Sequence, residues 1–269
     1  MLNNKFQIIK NLEINPDNYD LNLKLGLIYI NENNYAKAKI VFKKIISLNN
    51  TRYEGFLNLS NIYSAQNKIR NAEEILKKYI KKKYNKEIIS ALAILYYNSK
   101  NYIKLKFIEN KYIDKNENHI LFFLKAVLYE NENDITNQIL FLKKTINLNK
   151  NFWPGYEKLF TILERTNKID EFEDLVTNSK KIFKNDLKVN YYFILFLYRK
   201  NKFEDVLKII ESKDLENKFM ELNNTNYLIN LYDLLSKVQL KLKNFKISLD
   251  YAIKRNSLSL KKESNKSFD

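Results

Sequence analysis

The residues able to do chemistry in this sequence are few, and their spacing does not bring them together. One histidine, His119, rules out His-rich metal sites and paired-imidazole mechanisms. No cysteine is present, which removes disulfides and thiolate metal ligands. The three glycines, Gly26, Gly55 and Gly155, stand too far apart for a phosphate-cradling loop. Glu171, Glu173 and Asp174 form an acidic group on a half-apolar helical stretch, which reads as a solvated face rather than an acid/base couple. The sequence therefore assigns no catalytic residue, no cofactor and no metal, and it is read as a non-enzyme.

Binding chemistry is better represented. The densest basic run, Lys77-Lys78-Tyr79-Ile80-Lys81-Lys82-Lys83-Tyr84, interleaves ammonium groups with aromatic rings, as a nucleic-acid surface would. Tyr79 and Ile80, however, fall at core-facing spacing from Ile75 and Leu76, which turns the lysines outward. The net charge of +16 and pI near 9.5 admit an acidic partner. Abundant Lys, Asn, Ile, Tyr and Phe equally fit an AT-rich coding bias. RNA binding is thus the lowest-ranked of the functional readings, and its sign would be a steep salt dependence.

These side chains must be carried by helices. With only three glycines and two prolines in 269 residues, hairpins and Gly-rich loops are disfavoured. A hydrophobic content of 45% is ample for a core. The strongest apolar run, Tyr191 to Tyr198, is far shorter than the roughly 20 residues of a membrane span. With no secretory leader pattern after Met1, the expected location is the cytoplasm.

The helices are organised by a recurring turn. Asn33-Asn34-Tyr35 returns as Asn67-Lys68-Ile69, Lys100-Asn101-Tyr102, Asn133-Asp134-Ile135, Asn167-Lys168-Ile169, Asn201-Lys202-Phe203 and Lys243-Asn244-Phe245. Successive first residues lie 34, 33, 33, 34, 34 and 42 apart. Asn tolerates the left-handed conformation that ends a helix. Upstream of each turn lies a helix A with a small residue (Gly26, Ser60, Ala93, Ala126) and an aromatic three positions on (Tyr29, Tyr63, Tyr96, Tyr129). Downstream, a helix B carries Ala38 with Phe42, then Ala72 with Leu76. Small residues on facing helices let their axes approach to about 8–10 Å.

The period and the pattern Leu25-Gly26, Tyr29, Ala38, Phe42 resemble the tetratricopeptide repeat. Leu59-Ser60, Tyr63, Ala72 and Leu76 repeat the match, while Asn22 replaces the family's early Trp and Asn50 its closing Pro. The resemblance implies an all-α, right-handed α-solenoid with units at about 19–52, 53–85, 86–118, 119–152, 153–186, 187–220 and 229–262. Residues 1–18, with a helix from Phe6 to Ile14 closed by Pro16, read as a capping helix or truncated half-repeat, and 263–269 as a tail. Bulky Phe160 with Phe172, and Ile194 with Val206, are expected to push their helices apart and change the local curvature. About eight extra residues near 212–224 read as a loop insertion.

In the family the A helices line a concave wall that holds an extended peptide or partner helix. The corresponding candidates are Asn31, Asn61, Asn98, Asn131, Arg165, Arg199 and Lys241, with Tyr97 and Tyr198 beside them. The amides suit a peptide backbone and the guanidiniums a carboxylate or phosphate. Leu23 and Leu27 occupy the positions where some members clamp a C-terminal carboxylate with Lys and Asn, so that clamp is not carried over. The leading expectation is a non-catalytic scaffold that binds a protein or peptide segment. The alternative is the recognition region of a tetratricopeptide–sulfotransferase system, from a likeness in residues 251–269, with the catalytic domain absent from this chain.

Overall fold

The structure is a computed structural model that describes residues 2–112 and 118–266. Residues 113–117 of the expected unit 86–118, and the last three of the expected tail, lie outside the described residues. Sixteen helices, and no strands, occur among the described residues. They fall into two compact units, residues 1–148 and 149–269.

In the first unit, α1 (Leu2–Ile14) precedes four hairpins: α2 (Tyr19–Asn31) with α3 (Tyr35–Leu48), α4 (Glu54–Ala65) with α5 (Ile69–Ile80), α6 (Lys86–Asn98) with α7 (Tyr102–Tyr112), and α8 (His119–Asn131) with α9 (Ile135–Leu148). Each hairpin packs on the next, and the first helices of neighbouring hairpins touch directly, α4 on α6 and α6 on α8. In the second unit α10 (Trp153–Arg165) pairs with α11 (Ile169–Ile182), α12 (Leu187–Arg199) with α13 (Phe203–Ser212), and α15 (Thr225–Lys241) with α16 (Phe245–Lys266). The short α14 (Leu215–Glu221) intervenes.

The seven turns found in the sequence all have the same backbone. Asn33, Asn67, Lys100, Asn133, Asn167, Asn201 and Lys243 adopt φ between 54° and 63°. After each, an amide reaches back five residues to close the helix: Asn34 N to Tyr29 O at 2.8 Å, Lys68 N to Tyr63 O at 2.8 Å, Asn101 N to Tyr96 O at 2.8 Å. This satisfies a carbonyl that the helix end would otherwise leave open. Asn tolerates the left-handed region through its short polar side chain, whereas Lys100 and Lys243 meet its steric cost in full. The next helix then starts under a side-chain cap in several copies, Asn34 accepting from Lys37 N at 3.2 Å and Asp134 from Asn137 N at 3.0 Å.

Packing between paired helices follows one register. Gly26 faces Phe42 so closely that an added Cβ would lie 2.7 Å from the ring. Ala38, Ala72, Ala93 and Ala126 are fully buried. In the second unit the same register carries Phe160 and Phe172, whose rings meet at 5.3 Å, and Phe160 also stacks on Tyr192 at 4.2 Å. Trp153, Tyr156 and Phe183 join this aromatic cluster, and Trp153 Nε1 is buried in it without a hydrogen-bond partner. The last hairpin returns to small residues: Ser236 Oγ donates to Ser248 O at 2.9 Å, and Ser248 Oγ to Ser236 O at 2.8 Å.

Three expectations need correction. Residues 215–221 are helical rather than a loop, because Leu215 and Phe219 give the segment an apolar side, 0% and 1% exposed, to pack inward. This helix even ends in the same left-handed turn, at Asn223 with φ 49°. The final helix runs to Lys266, into the stretch read as a tail, since no Gly or Pro stops it. At the other end, α1 begins at Leu2 rather than Phe6.

Candidate functional site

The first helices of the second, third and fourth hairpins enclose a cleft of about 510 Å³ in the first unit. From α4 it takes Leu57, Ser60, Asn61 and Ser64, and from α6 Ser90, Ile94 and Asn98. The start of α8 adds Asn118 and His119. Among the described residues Lys86 and Glu87 are its only charged lining residues, so in a chain of net charge +16 this described lining is close to neutral. It offers amides and hydroxyls over an apolar floor.

Local structure positions these groups. Asn118 caps α8, accepting from Ile120 N at 2.8 Å, and its Nδ2 donates to Ser90 Oγ at 2.7 Å. Ser90 in turn donates to Lys86 O at 2.8 Å, and Ser60 to Leu57 O at 2.7 Å. The α6–α8 edge is thereby fixed through side chains whose positions are already set. Burial holds the His119 imidazole below its usual pKa, so the ring is neutral at pH 7. Asn61 and Asn98 are exposed, and Ile94 is 38% exposed between them.

Of the residues expected on a binding wall, Asn61 and Asn98 meet in this cleft. Asn31, Asn98, Asn131, Arg165, Arg199 and Lys241 are each the last residue of a first helix, beside the turn. Asn61 lies one helical turn earlier, in register with Leu27 and Ile94 rather than with the others, so the expected wall mixes two rows. Tyr97 is half-buried and packs against the core of the first unit, which removes it from a free wall. Asn131, Arg165 and Lys241 are exposed outside the cleft.

Tyr198 and Arg199 line a separate cleft of about 280 Å³ in the second unit, with Glu164, Asp233 and Lys237. Its charges are already matched. Arg199 is hydrogen-bonded to Glu164, and Asp233 takes both Lys237 at 2.5 Å and Arg255 at 2.6 Å. Arg199 is therefore not the open guanidinium that the sequence suggested for a carboxylate or phosphate.

Two residues of the basic run and two of the acidic group have structural partners. Lys77 pairs with Glu73 at 2.5 Å, and Tyr79 is 2% exposed with its hydroxyl donated to Thr51 O at 2.8 Å. Glu171 pairs with Lys168 at 2.9 Å and Glu173 with Lys200 at 3.3 Å, as a solvated face does. Sequence reasoning missed Asn118, Ser90 and Ile94. The signal was present in Asn85 and Asn118, two helix-capping asparagines 33 residues apart that place the starts of α6 and α8.

Residues 19–52 and 53–81 match the family model of the tetratricopeptide repeat. The first two hairpins are tetratricopeptide repeats. A tetratricopeptide repeat protein from Parabacteroides merdae shares its fold over 93% of this chain and 96% of its own, with 16% identity and a TM-score of 0.57. PilF of Pseudomonas aeruginosa does so over 76% of this chain and 91% of its own, at 13% identity and TM-score 0.58. PilW, described as a type IV pilus biogenesis factor, covers 79% and 97% at 11% identity and TM-score 0.57. At such identities the likeness is one of fold. No curated protein matches the sequence. The two matched repeats are consistent with a role in protein interaction. Among its described residues no helix is long and apolar enough to cross a membrane.

Proposed function

We propose that the protein is a non-catalytic cytoplasmic scaffold that holds an extended segment of a partner protein in the first-unit cleft, through Asn61 and Asn98. One observation carries this reading: the described lining of the cleft is open and almost uncharged, and it combines exposed amides with the apolar floor at Ile94. Carboxamides both donate and accept, so two of them a helix apart match the alternating groups of an extended backbone. Ile94 and Leu57 then favour an apolar side chain on one face of that segment.

A peptide library displayed on phage and panned against the full chain tests the proposal. Enriched peptides should share an uncharged pattern with an apolar residue, and the Asn61→Ala/Asn98→Ala variant should bind them about tenfold or more weakly, since each lost hydrogen bond is worth about 0.5–1.5 kcal/mol. Arg165→Gln should bind them as the parent does. Peptides that bind the double variant equally well would overturn the assignment of the cleft, and turnover of a small substrate by the purified chain would overturn the non-catalytic reading.

A further inference from the structure

A second cavity, in the second unit, has the opposite chemistry. It measures about 330 Å³ and lies where the end of α11, the start of α12 and the end of α13 meet. Lys180, Lys184 and Lys213 line it from three places in the chain, against a wall of Phe183, Val189 and Ile209. Lys180 Nζ is set 3.5 Å from the centroid of the Phe193 ring, which anchors one ammonium at the site.

Four other lysines of this unit pair with carboxylates: Lys168 with Glu171, Lys200 with Glu173, Lys237 with Asp233 and Lys254 with Glu216. Here the described lining sets one carboxylate, Asp186, beside three lysines. That group is already engaged as the cap of α12, accepting from Lys188 N at 2.7 Å. Three positive charges and one negative leave the lining at +2.

We propose that this cavity binds a small dianionic phosphate monoester, its oxygens shared by Lys180, Lys184 and Lys213 and its organic part resting on Phe183, Val189 and Ile209. The charge matches, and the volume falls at the lower end of small-molecule sites, roughly 300–1,000 Å³. Desolvation, together with the Lys213 charge nearby, holds the Lys180 ammonium below the ordinary lysine pKa, a cost that an incoming anion would offset.

Calorimetric titration of the full chain at low salt, with phenyl phosphate, inorganic phosphate and benzoate as probes, tests the assignment. Phenyl phosphate should saturate one site, with inorganic phosphate weaker and the monoanion benzoate at least tenfold weaker. The K180Q/K213Q variant should lose at least tenfold with an unchanged helical circular dichroism spectrum, while K77Q/K78Q should bind as the parent does. Should the double variant fail to fold, Lys184→Gln at its exposed position should show the same direction of loss. Absence of saturable binding, an equal loss in K77Q/K78Q, or inorganic phosphate binding as tightly as phenyl phosphate would each overturn the proposal.

Discussion

The first helices of the two units carry opposite surfaces on the same scaffold. In the first unit the packing register uses Gly26, Ser60, Ala93 and Ala126, and the neighbouring face is an amide-lined cleft with little charge. In the second unit the same register carries Phe160 and Ile194, both fully buried. The adjoining face there is closed by Glu164 with Arg199 and by Asp233 with Lys237 and Arg255. A surface whose polar groups already satisfy one another has little to offer a partner. The proposed function accordingly takes as the binding face the surface whose polar groups are left unspent, rather than the one with more charged residues.

The sharpest way to break this contrast is in packing. Phe160→Ala removes a fully buried ring stacked on Tyr192 and should cost about 3–5 kcal/mol, read as a lower urea midpoint. Ile94→Ala, at the floor of the open cleft, should cost under about 1 kcal/mol by the same measurement, since its side chain already meets solvent. Similar losses at the two positions would mean that the cleft is part of the core.

The turns should respond alike in both units. Lys100→Gly and Lys243→Gly place glycine at φ 54° and 63° and should each stabilise by about 1 kcal/mol, the scale of the left-handed penalty. Thermal denaturation would show a gain in each, and a loss in either would contradict the turn assignment.

A pH effect belongs to the first unit. Burial pushes the Glu73 carboxyl up, but hydrogen bonds from Lys77, Lys104 and Tyr96 outweigh it and bring the pKa down to about 2. Because the folded value lies below the ordinary 4.5, the contribution of Glu73 is fully present above that pH and is lost as pH falls toward 2. Stability measured across this window should decline less steeply in Glu73→Gln. The smallest effect is expected at the charged face of the second unit. Glu164→Gln should cost at most about 1 kcal/mol, with the difference from the parent shrinking in high salt, as for an exposed pair.

Much of the fold was legible because the turn chemistry is local. An Asn or Lys at the left-handed position followed by an apolar helix start can be read residue by residue, and all seven turns have that backbone. The small residues Gly26 and Ala38 were legible for the same reason, as a close approach demands them. The helix at 215–221 was harder to see: its two buried anchors, Leu215 and Phe219, sit in a short polar stretch where periodicity is weak. The insertion also shifted the phase and hid Ser236 and Ser248 as the last small pair. At the candidate site, Asn61 and Asn98 were chosen by type. The pairing of Arg199 with Glu164 was not, because it joins residues 35 apart on different helices. The role of Asn118 depends likewise on a bond to Ser90, 28 residues away.

The central claim is that the binding face is the neutral cleft of the first unit. Hydrogen–deuterium exchange on the full chain, with and without a library-selected peptide, tests it most directly. The account predicts slower exchange at the start of α8 and along α6, with α12 and α15 unchanged. Protection confined to α12 and α15 would contradict it.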